Sequence, residues 1–411
     1  MDIRIDPCRL SGTVTPPASK SMAHRLIIAA ALSGGVSTIH NVSTSKDIEA
    51  TLRCMAAMGA GVEQTDHRAL RIHGLGHSVP QRFDAAQLPH FDCGESGSTL
   101  RFLIPIALAV AGGGVFTGQG RLMERPQQPY FDLFRENGIS YHLENGTLTV
   151  QGRLTAGEYR LPGNVSSQFF TGLLFALSLL DEPSTIISTT ALESADYIRM
   201  TIDAMKTAGI SVTTSADGRS FHVKPSPYAA FEASVEADWS QAGFWYAANF
   251  LDNQVQLNGL NPRSAQGDMV ISELYWKLAR PGDTEIDVSG CPDLLPPLAV
   301  MAAVRSGTTR FVNAARLRMK ESDRLATVHQ LLTALGGRSE EGADFLTVHG
   351  APALAGGTVD GANDHRIVMA AAIAATACSG PITILGAQAV SKSYPDFFEV
   401  YQSLGGAIHV L

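Results

Sequence analysis

Apolar positions along this chain fall into two alternating patterns. One is a near-continuous Ala/Leu-rich run with little polar face, as in Leu26 to Leu32, Leu100 to Gly112, Phe169 to Leu180 and Ile367 to Ala377. The other is amphipathic and ends at glycine: Asp47 to Gly59, Gln127 to Gly138, Asp196 to Gly209, Ser322 to Gly336 and Pro395 to Gly405. The first pattern predicts buried helices and the second half-exposed ones. A glycine just past the helix suits the left-handed cap that stops it. Strand-forming residues follow at once, as in Ile139-Ser140-Tyr141-His142 and Ile210-Ser211-Val212-Thr213.

Each apolar run opens behind a short cluster of charged and hydroxyl residues. The clusters are Lys20-Ser21-Met22-Ala23-His24-Arg25, Gly97-Ser98-Thr99-Leu100-Arg101, Ser166-Ser167-Gln168, Asp238-Trp239-Ser240-Gln241, Pro292-Asp293 and Asn363-Asp364-His365-Arg366. Marked at Ser21, Ser98, Ser167, Ser240, Asp293 and Arg366, they are spaced by 77, 69, 73, 53 and 73 residues. The chain therefore reads as six repeats of strand, buried helix, strand, amphipathic helix, strand, with sheets outside the buried helices. The fourth is cut short, because Ser272 to Arg280 is stopped by Pro281-Gly282. Helix N-termini carry unpaired N–H groups and a positive dipole end. Six such ends facing a common space would trap anions.

Six repeats divide as three plus three. Thr13-Val14-Thr15-Pro16-Pro17 and Lys224-Pro225-Ser226-Pro227-Tyr228 suit crossings between two lobes. One lobe is then 15–236, and the other is discontinuous, 1–14 with 237–411, taking in the opening strand Asp2 to Asp6. A cleft between lobes is the default site for a ligand.

Composition narrows the function. The 411 residues carry 31 Lys and Arg against 39 Asp and Glu, a net charge of −8. That speaks against nucleic acid as the main partner, but not against small anions, since the cations sit in the motifs. No apolar run reaches the roughly 20 residues of a bilayer span, and Met1-Asp2-Ile3-Arg4 lacks the apolar core of a signal peptide. Five cysteines with no Cys-x-x-Cys pair argue against a disulfide framework or zinc site and for a reducing, cytoplasmic setting. No metal is called for. Phosphate-loop, dinucleotide and nucleophile-elbow motifs are missing, so ATP, NAD and a covalent acyl enzyme are not expected.

Read singly, each charged motif has an ordinary explanation. Lys20-Ser21 is as well read as a helix cap as an anion clamp. Lys320-Glu321-Ser322-Asp323-Arg324 could be a solvated helix start capped by Ser322, and Asn363-Asp364-His365-Arg366 a cap followed by exposed His and Arg. Glu124-Arg125-Pro126 and Ser391-Lys392-Ser393-Tyr394-Pro395 each place a cation beside a helix start. Repetition of Lys or Arg at equivalent places in several repeats favours binding.

Together, Lys20-Ser21-x-x-x-Arg25, Gly97-Ser98-Thr99-Leu100-Arg101, Glu124-Arg125-Pro126, Ser166-Ser167-Gln168, Lys320-Glu321-Ser322-Asp323-Arg324, Asn363-Asp364-His365-Arg366 and Lys392-x-x-Pro395-Asp396 resemble the 3-phosphoshikimate 1-carboxyvinyltransferase (5-enolpyruvylshikimate-3-phosphate synthase) family, in the family's order. The resemblance implies an α/β fold of two lobes, each an inside-out α/β barrel of three βαββαβ-type repeats with buried helices, and an active site in the interdomain cleft. It implies a shikimate-pathway transferase of aromatic amino acid (chorismate) biosynthesis, cytoplasmic and monomeric, without cofactor, nucleic acid or membrane partner. The reaction would move the enolpyruvyl group of phosphoenolpyruvate to the 5-hydroxyl of shikimate 3-phosphate and release phosphate.

By the same resemblance, Lys20, Ser21, Arg25, Ser166, Ser167, Gln168, Ser194, Tyr197, Asp293, Arg316 and Lys320 hold shikimate 3-phosphate. Lys20, Gly97, Arg125, Gln168, Arg324, Arg366 and Lys392 hold phosphoenolpyruvate. Asp293 is the base on the hydroxyl, and Glu321 and Lys20 serve proton transfer at carbon. Cations around Glu321 would lower its pKa, so it is expected as the base of the elimination step, with Lys20 or Lys392 delivering the first proton. The chain departs from the family pattern at Glu95-Ser96, where Asn-Ala is common, and at Arg316, where Asn is frequent. Two other readings are a UDP-N-acetylglucosamine enolpyruvyl transferase and a non-catalytic anion-binding repeat protein. The former typically has Lys-Asn at its start and a loop cysteine, whereas this chain has Lys20-Ser21 and no cysteine between Gly112 and Arg125.

Overall fold

A computed structural model describes residues 1–76 and 88–411. Its contacts divide the chain into two units, Lys20–Val235 and the discontinuous pair Met1–Ser19 with Glu236–Leu411. The first crossing thus falls after Ser19 rather than after residue 14. Ala18 bridges Ala237, the Ser19 N–H donates to Glu236 O at 2.8 Å, and the Asp238 N–H donates to Pro17 O at 2.9 Å. These bonds tie 15–19 to the second unit. The Pro-bearing stretch 224–228 lies wholly inside the first unit and leads into strand Glu232–Ser234, which pairs with Val36–His40.

Within Lys20–Val235 the helices are α1 (Lys20–Ala31), α2 (Lys46–Ala57), α3 (Gly97–Ala111), α4 (Gln128–Glu136), α5 (Ser167–Leu177) and α6 (Ala195–Thr207). Three four-stranded sheets accompany them among the described residues. In each, a parallel pair is extended by an antiparallel hairpin. His90–Asp92 runs parallel to Gly113–Thr117, which pairs with Thr147–Gln151 and then Ser140–Glu144. In the sheets that begin at His90–Asp92 and Glu158–Leu161 the buried helix joins the parallel strands, the amphipathic helix follows, and both hairpin strands come after it; in the third sheet the parallel partner, Glu232–Ser234, comes instead from the end of the unit. The order is therefore βαβαββ; the βαββαβ shorthand put a strand pair between the helices. Asn145 and Gly146, with φ of 50° and 74°, make the tight hairpin turn that permits this. The expected capping glycines Gly59, Gly138 and Gly209 all have positive φ.

The other unit holds α7 (Trp239–Phe250), α8 (Ile271–Leu278), α9 (Leu295–Val304), α10 (Arg324–Ala334), α11 (His365–Ala374) and α12 (Phe397–Ser403). Strand Ile3–Asp6 lies between Ile382–Leu385 and Ala407–Val410, so the first strand completes the last repeat. The short fourth repeat keeps only a parallel pair, Ser11–Val14 with Gln254–Leu257, and passes from α8 to Thr284–Asp287 without a hairpin. Helices α7, α9 and α11 pack together and are buried almost all round, as the unbroken apolar runs predict. Pro296 and Pro297 occupy the first turn of α9, where no N–H is needed. They fix a sharp start directly behind the turn Pro292–Leu294 that carries Asp293. No described helix is long and apolar enough to cross a membrane.

In the first unit α3 packs on α5 at close range. A Cβ on Gly172 would lie 2.6 Å from Arg101 O and 2.4 Å from the Tyr130 hydroxyl. Pro105 inside α3 has no N–H to give the carbonyl four residues back. That carbonyl, Arg101 O, instead accepts from the buried Tyr130 hydroxyl at 2.8 Å. Tyr130→Phe strands the acceptor and should lower stability by about 1–3 kcal/mol. Urea unfolding followed by a probe in Lys20–Val235 checks this, and an unchanged midpoint would contradict it.

Candidate active site

All six charged clusters lie at helix starts, and the two units carry distinct sets. In Lys20–Val235 the starts of α1, α3, α5 and α6 are linked by side chains. Lys20 opens α1 and its Nζ pairs with Asp47 of α2 at 2.8 Å. Ser96 caps α3 by accepting from the Thr99 N–H, and Ser166 caps α5 by accepting from the Gln168 N–H. Gln168 ties these two starts together: its Nε2 donates to Ser98 Oγ at 2.9 Å and its Oε1 accepts from Arg101 Nη1 at 2.8 Å. A Cβ on Gly97 would meet Arg125 Nη1, the far end of a flexible side chain, at 2.5 Å. The Arg125 guanidinium thus lies against the first turn of α3. Ser167 is the first residue of α5.

Arg25 is buried and is engaged within the protein. Nε donates to Thr201 Oγ1 at 2.9 Å, Nη1 to Ser21 O at 2.6 Å, and Nη2 to Tyr197 O at 3.0 Å. Burial pulls its pKa down to about 10. Ser194, at the start of α6, has φ 54°, a strained value for serine, and its carbonyl accepts from the Tyr197 N–H. A second buried chain, His24 Nδ1 to Thr51 Oγ1 to Thr99 Oγ1 to Ser96 Oγ at 2.7, 2.7 and 2.8 Å, connects α1 and α2 to the cap of α3.

In the other unit the charges converge on Asp293. Arg324 Nη1 lies 2.6 Å from its Oδ1, Arg366 Nη2 3.1 Å from its Oδ2, and Lys320 Nζ 3.3 Å from Oδ1. Burial pushes the Asp293 carboxyl up, but Arg366, Lys320 and Arg324 outweigh it and hold the carboxyl well below the usual range. Arg324, only 1% exposed, also meets Glu321 at 2.7 Å and Asp364 at 2.8 Å. Burial likewise opposes ionisation of Asp364, and Arg324 reverses the effect, keeping that carboxyl low. Burial lowers the pKa of Lys320, against the pull of Asp293.

The remaining predicted residues have other partners. Lys392 Nζ donates to Asn363 O at 2.5 Å, and Arg316 donates to Ser289 O. Ser322 does not cap α10. Asp323 does, accepting from the Ala326 N–H, while Ser322 donates to Asp364 Oδ2 at 3.0 Å. Asp364 caps α11, but His365 and Arg366 are buried rather than exposed.

Four partners stand outside the predicted site residues, although Arg101 and Asp364 lie within the charged clusters. Asp47, Arg101 and Asp364 complete the networks above. Asp268, in the turn Gly267–Val270, sits beside Asp293, Asp238 and Arg366, and burial followed by the two neighbouring carboxylates pushes it up to about 7. Asp47 opens an amphipathic helix and Asp364 reads as a cap, so each had an ordinary explanation; Asp268 had no signal at all.

Residues 5–401 match the family model of EPSP synthase (3-phosphoshikimate 1-carboxyvinyltransferase). The chain is 44% identical over 426 residues to the 3-phosphoshikimate 1-carboxyvinyltransferase of Clostridium acetobutylicum, covering 99% of this chain and 98% of that one. It is 42% identical over 424 residues to the protein of the same name from Clostridium kluyveri, with the same coverage. In fold it is similar to a solved EPSP synthase from Acinetobacter baumannii, with TM-score 0.79 and 24% identity over the whole of both chains. With nearly its full length matched by that family's model and by relatives well above 30% identity, the chain belongs to the EPSP synthase family.

Proposed function

We propose that this chain performs the family's reaction, enolpyruvyl transfer from phosphoenolpyruvate to shikimate 3-phosphate. The observation that carries the assignment is the meeting of two buried guanidiniums, Arg324 and Arg366, from different helices, at one carboxylate. Planar guanidinium forks suit carboxylate, so a substrate carboxylate can take the place that Asp293 occupies.

In this reading Lys20–Val235 supplies most acceptor contacts. Lys20, Ser21, Ser166, Ser167, Gln168 and Ser194 bind shikimate 3-phosphate, Tyr197 borders it, and Arg25 acts from beneath by fixing Ser21 and Tyr197. Arg316 and Lys320 contribute as well. The donor phosphate is held by Lys20, the Gly97 N–H, Arg125 and Gln168, and the donor carboxylate by Arg324 and Arg366, with Lys392 close by. Each charge contact at about 4 Å and an effective dielectric near 20 contributes roughly 4 kcal/mol before desolvation. Two polyanions held together need several.

When the donor carboxylate draws Arg324 and Arg366 away, the Asp293 pKa rises toward that of an ordinary carboxylate. Asp293 then takes the 5-hydroxyl proton as that oxygen bonds to C2 of phosphoenolpyruvate. Lys20 or Lys392 protonates C3, giving a tetrahedral intermediate. Loss of phosphate from C2, with removal of a methyl proton by Glu321, restores the double bond. The Arg324 contact at 2.7 Å supports this role by fixing the Glu321 carboxylate in place. The protein works as a cytoplasmic monomer on these two small molecules.

Arg366→Lys replaces a fork by a point charge and should raise KM for phosphoenolpyruvate about tenfold or more, with KM for shikimate 3-phosphate little changed; steady-state phosphate release measures both. In single-turnover experiments Glu321→Gln should form the tetrahedral intermediate but break it down about 10² slower. Selective loss of formation would reverse the assignment of Glu321.

A further inference from the structure

Arg101 stands one turn past Gly97 on α3 and is only 7% exposed. Its planar fork reaches two acceptors inside the unit Lys20–Val235: Nη1 donates to Gln168 Oε1 at 2.8 Å and Nη2 to Pro126 O at 3.0 Å. The guanidinium carbon lies 4.9 Å from the centre of the Phe169 ring, a cation–π contact that leaves the N–H edge for hydrogen bonds. Pro126 follows Arg125 in the chain. One buried cation thus ties together two of the groups assigned above to the donor phosphate, Gln168 and the stretch that carries Arg125. The close approach of α3 and α5 at Gly172 lets it reach both.

A glutamine amide has an acceptor end and a donor end of nearly the same shape. Ser98 alone would take either, since a hydroxyl both gives and accepts hydrogen bonds. Arg101 decides between them, because a guanidinium only donates. With Oε1 held by Arg101 Nη1, Nε2 must face the other way, and it donates to Ser98 Oγ at 2.9 Å. The reversed amide would set N–H against N–H at Arg101 and turn an oxygen lone pair toward a bound anion. We propose that Arg101 is a positioning residue for the donor phosphate: it locks the Gln168 side chain so that N–H, never the oxygen, is offered to the anion. The inference rests on the place given to Gln168 above. A hydrogen bond from an ionised donor is among the stronger ones, so the lock is set in the empty protein and the amide need not turn when the donor arrives.

The test is a double-mutant cycle on the full-length protein, read as kcat/KM for phosphoenolpyruvate from phosphate release with shikimate 3-phosphate saturating. Arg101→Met keeps much of the length and gives up every donor, and should lower kcat/KM about tenfold or more. In Gln168→Met, where no amide is left to turn, the same substitution should lower it less than about threefold. Equal losses in the two backgrounds would mean that Arg101 serves the fold and not the amide, which overturns the inference and leaves the reaction standing. A Gln168→Met protein as active as the wild type would overturn it as well. Absence of phosphate release from the wild type would instead sink the reaction. If Arg101→Met does not fold, Arg101→Lys, a single ammonium in place of a fork with two acceptors to serve, takes its position in the cycle. Should that fail too, the nitrogen-15 spectrum of the wild type decides: the Gln168 side-chain N–H signals should move downfield when inorganic phosphate joins shikimate 3-phosphate, and signals that stay put refute the idea.

Discussion

Burial of Arg324 is the constraint on which the second unit's chemistry depends. A guanidinium at 1% exposure survives only if its hydrogen bonds are met by opposite charge, and Asp293, Glu321 and Asp364 meet them. That requirement brings the starts of α10 and α11 and the proline-fixed turn before α9 to one point. Asp364 answers it while also capping α11, so one carboxylate fixes both the helix start and the cation. The arrangement leaves Arg324 and Arg366 oriented toward a carboxylate before any substrate arrives, which is the preorganisation that electrostatic catalysis requires.

The first unit solves the same problem with neutral groups. Gln168 binds Ser98 and Arg101, and the chain from His24 through Thr51 and Thr99 to Ser96 fixes the cap of α3. Burial, then the nearby charges of Lys20 and Arg25, hold the His24 imidazole well below its usual pKa, so the chain stays neutral. Lys20 pairs with Asp47 at the start of α2.

Repeats and buried helices were legible because each rests on local physics. An all-round apolar run can only be interior, and Gly59, Gly138, Gly209, Gly336 and Gly405 sit at positive φ where the amphipathic helices stop. The hairpins that follow the amphipathic helices were only half visible where they occur, since single strands such as Ser140–Glu144 show in the sequence but their pairing order does not. The crossing after Ser19 was hidden for the same reason: it is set by pairing of 17–19 with 236–238, more than two hundred residues apart. Among charged residues, those at helix starts stood out by repetition. Asp268 and Asp47 did not, because a carboxylate becomes informative only once its buried neighbours are known.

In the proposed reaction Asp293 and the donor carboxylate compete for Arg324 and Arg366. The affinity of Asp293→Asn for phosphoenolpyruvate, measured with shikimate 3-phosphate saturating, tests it most directly. Removing the competing charge should tighten donor binding about tenfold or more while turnover collapses. Donor binding that weakens in this variant would contradict the account.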